Sequence, residues 1–181
     1  LGPVMDVIII DTPGSDSMLS RVGHTWADTL VTPLNDSFLD LDVLARVESE
    51  TLRIAGPSQY AEMIWEQKKK RAQIGLPAID WIVLRNRLSS LNAHNKHVMA
   101  DVLEKLSGRI GFRLAPGFGE RVIYRELFLK GLTVMDLGGV AGGSPLTLSH
   151  VAARQEVRAL VAALNVPPLN VPPLATVPTT E

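Results

Sequence analysis

Residues 4–10 form a mostly apolar run, broken only by Asp6 and rich in β-branched side chains, and it stops abruptly at Asp11-Thr12-Pro13-Gly14. A run of this length without polar alternation suits a strand covered on both faces, as in a parallel sheet. The turn residues that follow set a carboxylate at the strand's C-terminal end, the edge at which open α/β sheets bind their ligands. The run is far too short to cross a bilayer, which takes ~20 apolar residues. No basic stretch precedes it, so it does not read as a secretory signal.

The rest of the chain repeats the strand and helix alternation. Residues 17–28 predict a short helix, and 29–33 a strand closed by Pro33. Residues 35–47 carry Phe38, Leu41, Leu44 and Val47 at steps of three, which predicts a helix capped by Asn35 or Asp36. A longer helix is expected over 57–74, ending at Gly75, then a strand over 79–84. Asn92 or Asn95 can cap a helix running to Leu106, with Val98, Val102, Leu103 and Leu106 on one face. A strand over 110–114 and a helix over 121–129, stopped by Gly131, complete the pattern. Alternation of this kind predicts an α/β fold, Rossmann-like, with right-handed crossovers and a mainly parallel sheet flanked by helices. Residues 138–145 are Gly-rich and read as a linker, and 146–164 return to a helical pattern. The tail, 165–181, carries Asn-Val-Pro-Pro-Leu twice in succession. Paired prolines exclude helix and ladder pairing, so an extended or disordered tail is expected.

With 181 residues, 46% hydrophobic and 20% charged, the chain has apolar surface enough for one globular core. The formal net charge is −1, so no global field draws in nucleic acid or membrane. There is no cysteine, which removes disulfides, thiolate metal sites and thiol nucleophiles and agrees with a reducing cytoplasm. The chain opens at Leu1 almost inside its first strand, which is the expectation for a fragment of a larger domain.

Three strand ends carry candidate chemistry. Asp11 can hold Mg²⁺ beside nucleotide phosphates, commonly through water. Gly14 can turn its backbone N–H to a γ-phosphate and flip when that group leaves. The plain alternative is a capped strand end and a tight turn. The strand Trp81-Ile82-Val83-Leu84 leads into Arg85-Asn86-Arg87, where Asn86 can pair with the edge of adenine or simply bond its own loop. Phe112-Arg113-Leu114-Ala115-Pro116-Gly117, with Arg121 after it, can supply a loop over a base and ribose.

Other features are read more plainly. Gln67-Lys68-Lys69-Lys70-Arg71 is expected to be a solvated face that complements its helix dipole. Arg87, Lys96, Lys105, Arg109 and Arg113, with His94 and His97, can form a basic face. His94 and His97 have helical spacing but no third ligand nearby, so a surface pair is expected rather than a metal site. Ser15, Asp16 and His24 lack the nucleophile elbow of a hydrolase triad.

The blocks DTPGSDSMLSRVGHTWADTLVTPLNDSFLDLDVL, GPSQYAEMIWEQKKKR, DWIVLRNRLS and GFRLAPGFGERVIYRELFLKGLTVMDL resemble the MipZ family, bacterial ATPases of the ParA/MinD superfamily. The resemblance runs almost continuously from Val7 to Asp136. It implies an ATP- and Mg²⁺-dependent enzyme that dimerises around nucleotide and hydrolyses it slowly, as a timer. It also implies cytoplasmic partners: a ParB-like protein, chromosomal DNA, bound non-specifically, and FtsZ, whose assembly near the poles the family inhibits. By motif match Asp11 would be the Walker B metal residue and Gly14 the switch glycine. Asn86 would be the adenine contact, with Arg87 and the loop at Pro116 beside it.

The sequence departs from the family in one large respect. No G-x-x-x-x-G-K-S/T segment occurs, and the switch I aspartate expected ahead of the Walker B strand is missing. Without that loop's amides and lysine, these 181 residues alone are expected to bind ATP poorly. The expected organisation is a partial ATPase domain over 1–137, a linker over 138–145, a C-terminal helix over 146–164 and the proline-rich tail. A chromosome-partitioning ATPase of the ParA type is the alternative within the superfamily. A non-enzymatic interaction module on the same scaffold is the alternative outside it. A MinD-like membrane helix is not expected, because the tail ends in proline pairs.

Overall fold

The computed structural model describes residues 6–35, 37–48, 54–89, 93–137 and 146–166, without the side chains of residues 38 and 93–96. The expected linker, the tail from 167 onward, Val4, Met5, Asp36, Asn92 and the side chains of His94 and Lys96 lie outside the described residues.

Five strands and five α-helices are present among the described residues. Strand β1 (Thr29–Asn35) pairs in parallel with β4 (Asp80–Asn86), which pairs in parallel with β5 (Arg113–Ala115), giving the order β1-β4-β5. The helices are α1 (Met18–Trp26), α2 (Gln59–Gln73), α3 (Ala93–Ile110), α4 (Val122–Phe128) and α5 (Leu148–Ala163). The chain is therefore an α/β protein with a parallel sheet flanked by helices, a Rossmann-like arrangement.

The sequence explains the centre of this sheet. Trp81, Ile82, Val83 and Leu84 of β4 are all buried, as a strand covered on both faces requires. The Trp81 indole N–H donates to Thr32 Oγ1 on β1 at 3.0 Å, and Thr32 shares a 2.9 Å hydrogen bond with the Tyr60 hydroxyl on α2. Burial raises the Tyr60 phenol above its usual range, against the opposing effect of that Thr32 bond. Trp81 also meets Tyr60 and Phe112 edge to face, at ring separations of 6.2 and 5.4 Å. Around it Leu34, Leu41, Ile64, Leu103, Leu106 and Ile110 close the main core. A smaller core of Leu127, Val134 and Ala153 joins α4 to α5.

Several expectations need correction. Residues 7–10 do not form a strand, and the run is not buried: Val7, Ile8, Ile9 and Ile10 are 42, 53, 90 and 56% exposed. A run suited to burial needs a ladder partner and cover on two faces; among the described residues no strand pairs with it, and α1 approaches only its end, near Ile10. β1 likewise has a partner along one edge only among those residues. That open edge accommodates Pro33 inside β1 rather than at its end, since proline lacks the N–H a second ladder would require. Residues 35–47 are not one helix. Ser37 caps a 3₁₀ helix (Phe38–Val43), after which β2 (Ala45–Val47) pairs antiparallel with β3 (Ile54–Pro57). The step of three that suggested an α-helix is also the period of a 3₁₀ helix. α3 runs on to Ile110, so Asn95 lies within the helix and the third sheet strand starts only at Arg113, after Gly111 turns at φ +81°.

The basic run is not a uniformly solvated face either. Gln67 and Arg71 are buried. Arg71 donates to the carbonyls of Pro77 and Thr25 (the latter at 3.1 Å) and to Asp28, joining α2 to the entry of β1. Lys68 donates to the Gly111 carbonyl at 2.9 Å and lies 5.5 Å over the Trp81 ring. Its long stem packs over the core while the ammonium finds a carbonyl.

Candidate functional site

The C-terminal end of β4 builds the site. After Asn86 the chain turns at Arg87, whose φ of 52° is left-handed, an uncommon conformation for a side chain of this size. The Arg87 N–H donates to the Asn86 carboxamide oxygen at 3.0 Å, which fixes the orientation of that amide. Beyond the turn, Leu88 makes a parallel bridge to Gly119. Phe118 N–H donates to Arg85 O at 2.8 Å, Leu88 N–H to Phe118 O at 2.9 Å, and Glu120 N–H to Leu88 O at 3.1 Å. These bonds lay residues 117–120 along 85–88 and extend the sheet past its named strands.

Gly117 makes the close approach possible. A Cβ at that position would stand 2.4 Å from the Arg85 carbonyl oxygen, so only glycine admits the contact. Between this ladder and α4 lies an open cavity of about 410 Å³, lined by Asn86, Arg87, Phe118 to Arg121, Tyr124 and Arg125. Phe118 and Tyr124 meet edge to face at 6.1 Å.

The far wall is held from α5. Arg121 donates to both Glu156 oxygens, the nearest contact being 2.7 Å, and its other guanidinium arm reaches Ser149 Oγ at 3.3 Å. The Tyr124 hydroxyl donates to Glu156 at 2.9 Å. Burial pushes the Glu156 carboxyl up, yet the bonds from Arg121 and Tyr124 outweigh it and hold the group below its usual range. Burial, with the adjoining carboxylate, pushes the Tyr124 phenol far above its ordinary value, so it remains a neutral donor. Further out, Arg113 pairs with Asp80 at 2.6 Å and also donates to the carbonyl of Ala163, tying the end of α5 to the sheet.

Of the residues singled out in the sequence, Asn86 and Arg87 are brought together at the cavity. Pro116 precedes its loop but does not line it. Asp11 and Gly14 lie in the exposed segment ahead of α1. Asp11 offers a solvent-facing carboxylate, the donor type that Mg²⁺ takes singly, alongside water and phosphate oxygens. Among the described residues no three acidic or imidazole groups cluster to cage a metal. Ser15, Asp16 and His24 form no triad: Asp16 pairs with Arg21 at 2.6 Å, and His24 Nδ1 faces the Ser20 carbonyl. Arg121 was visible in sequence, whereas Tyr124 and Glu156 were not, because their meeting depends on α4 and α5 packing together across 32 residues.

The cavity thus joins a fixed carboxamide, an aromatic pair and a backbone ladder at the carboxyl edge of a parallel sheet. Such an arrangement can take a planar heterocycle, with the amide group reading its edge. No helix among the described residues is long and apolar enough to cross a membrane. Compared with known families, residues 1–168 match the model described as ATPase MipZ. No curated protein matches the chain.

Proposed function

The chain belongs to the MipZ ATPase family, and from that premise we propose that it forms the base-binding and metal-carboxylate part of an ATPase that regulates placement of the division site. The observation that carries the base-binding part is the cavity at the end of β4, where Asn86, Arg87, Phe118 and Tyr124 converge. In this reading the adenine edge meets Asn86, with Arg87 and the loop following Pro116 over the ribose. Asp11 would supply the carboxylate that holds Mg²⁺, and Gly14 would lie toward the γ-phosphate. The bound ion supplies charge neutralisation for attack of water on that phosphate. The chain's own contribution is to orient the base, present the carboxylate and report the state of the phosphate through the segment leading into α1.

Nucleotide would switch the protein between monomer and dimer. The dimer would bind DNA non-specifically and act on FtsZ in the cytoplasm, in a nucleoid- and pole-associated gradient, together with a ParB-like partner. Lys105 and Arg109 are candidate phosphate contacts for DNA, whereas Arg87 is committed to the nucleotide cavity in this reading. Arg113 is a poorer one, because Asp80 and the end of α5 already engage it.

The phosphate cradle is the element these 181 residues lack. The test is therefore calorimetric titration of Mg²⁺-ATP into this chain and into the same chain joined to its upstream coding region. The extended protein should bind, Asn86→Ala should weaken binding, and Asp11→Ala should remove its dependence on Mg²⁺. If neither protein binds, the enzymatic reading fails, and the fold serves as an interaction module instead.

A further inference from the structure

Glu156 is a carboxylate from the C-terminal helix that touches the cavity wall without lining the cavity. It is 19% exposed and faces Arg121, itself 23% exposed, at 2.7 Å. Around it converge the Arg121 guanidinium, the Tyr124 hydroxyl at 2.9 Å and the Gly119 backbone, where an added Cβ would stand 3.2 Å from the carboxylate. All three partners belong to the lining of the cavity. The helix that carries Glu156 is itself fixed. Arg113 donates to the Ala163 carbonyl at its C-terminal end, and Arg154 to the Leu137 carbonyl at 3.2 Å nearer its middle.

A cavity at the carboxyl edge of a sheet with three arginines in its lining would ordinarily favour an anion. Here one of the three is occupied. Both Glu156 oxygens take the Arg121 guanidinium side-on, the geometry that matches a carboxylate to both nitrogens at once. The Arg121 cation in the lining is thereby neutralised by a carboxylate, while Tyr124 is held with its ring against Phe118.

We propose that Glu156 is a positioning residue for ligand selection: by holding Arg121 and Tyr124 it makes this wall neutral and aromatic, so the cavity takes an uncharged planar ring in preference to a phosphate. The proposal rests on the base-pocket reading given above and adds to it a residue outside the pocket, on a helix following the Gly-rich segment. Removing the carboxylate leaves the Arg121 charge in the lining without its counter-charge, which disfavours the ring and creates an anion site. A merely structural role for Glu156 would weaken both ligands alike. The ratio of the two affinities separates the cases, because Arg87, Arg125 and Glu120 are the same in both proteins.

The experiment titrates adenosine and inorganic pyrophosphate separately into the full chain and its Glu156→Gln variant, at low and at high salt. In the variant the adenosine-to-pyrophosphate affinity ratio should fall about tenfold or more, with the gain for pyrophosphate lost at high salt. A ratio within about twofold of wild type overturns the proposal and leaves the base pocket intact. If wild type binds no adenosine, the base-pocket reading fails and this inference falls with it. Should the variant not fold, the Arg121 Nε–H resonance of wild type, assigned by its loss in Arg121→Lys, decides. It should shift on adding adenosine and stay still on adding pyrophosphate; movement with pyrophosphate overturns the proposal.

Discussion

Replacing Gly117 by alanine should open the loop that floors the cavity, and the size of the effect can be worked from its contacts. The backbone at Gly117 is not left-handed, so the penalty is steric alone. The new methyl would stand 2.4 Å from Arg85 O, 3.2 Å from Arg85 C and 3.0 Å from a Leu88 methyl. The first two are backbone atoms of the central strand and have little room to yield. Relief therefore requires residues 117–120 to lift away from 85–88, which breaks the bonds Phe118 to Arg85, Leu88 to Phe118 and Glu120 to Leu88. At a net ~0.5–1.5 kcal/mol each these are worth roughly 1.5–4.5 kcal/mol, and overpacking elsewhere costs a comparable ~1–3 kcal/mol. A loss of about 2–4 kcal/mol is expected, a large share of the ~5–15 kcal/mol that holds an ordinary domain. Urea unfolding gives the loss, and hydrogen exchange at the amides of Leu88, Phe118 and Glu120 shows where it falls. Gly108→Ala is the matched control, since nothing lies within 4 Å of a Cβ there and alanine inside α3 should gain ~0.5–1 kcal/mol. If Gly117→Ala unfolds within about 0.5 kcal/mol of wild type, with those amides equally protected, the loop is not held as described.

Three further outcomes are expected. Arg71→Met should cost about 2–4 kcal/mol in urea unfolding, because it strands the carbonyls of Thr25 and Pro77, whereas Asp28→Ala should cost little, its side chain being 91% exposed; equal effects would contradict the geometry. The Arg113 guanidinium beside Asp80 holds that carboxyl below its usual range despite partial desolvation. A depressed folded-state value stabilises above the unfolded-state value near 4 and is lost as pH falls through the folded one, so unfolding followed from pH 5 downward should be less acid-sensitive in Asp80→Asn than in wild type. Ile9→Lys should reduce aggregation of this chain, measured by light scattering, without lowering its stability, since Ile9 is 90% exposed.

How legible the fold was depended on whether each segment's cover lies within the described residues. The segment 79–84 indicated a strand and holds one, with Trp81 to Leu84 buried, because β1, β5 and the flanking helices supply the ladder and the cover. Residues 7–10 carry the same pattern and remain exposed. Periodicity reports what a segment needs and says nothing of whether a neighbour is there to provide it. The helices were legible through their stops rather than their starts: Gly75 and Gly131 turn left-handed after α2 and α4 as expected, whereas the caps that accept from first-turn N–H groups, Ser17, Ser58 and Thr147, were not singled out in the sequence. The small antiparallel pair β2 and β3 was not legible. Ala45-Arg46-Val47 is too short to show an alternation, and its register shifts between Arg46 and Val47.

The site divides in the same way. Asn86 could be placed because it ends a buried strand; the bond it makes is to its own loop, from the Arg87 N–H. Arg121 and Gly117 could be noticed but not interpreted, since what gives each its role is a single distant atom: the Arg85 carbonyl for Gly117, the Glu156 carboxylate for Arg121. Nothing in the spacing of Glu156 distinguishes it from a solvated glutamate on an amphipathic helix. Its meaning comes from α5 resting on α4 through Ala153, which is fully buried and whose carbonyl accepts from Tyr124 at 3.3 Å. A larger residue at 153 would lift the helix and withdraw the carboxylate from Arg121. Ala153→Leu should therefore reproduce the ligand selectivity of Glu156→Gln while leaving every charged residue in place. Preserved selectivity in a folded Ala153→Leu protein would mean that the contact between the helices does not set the cavity wall.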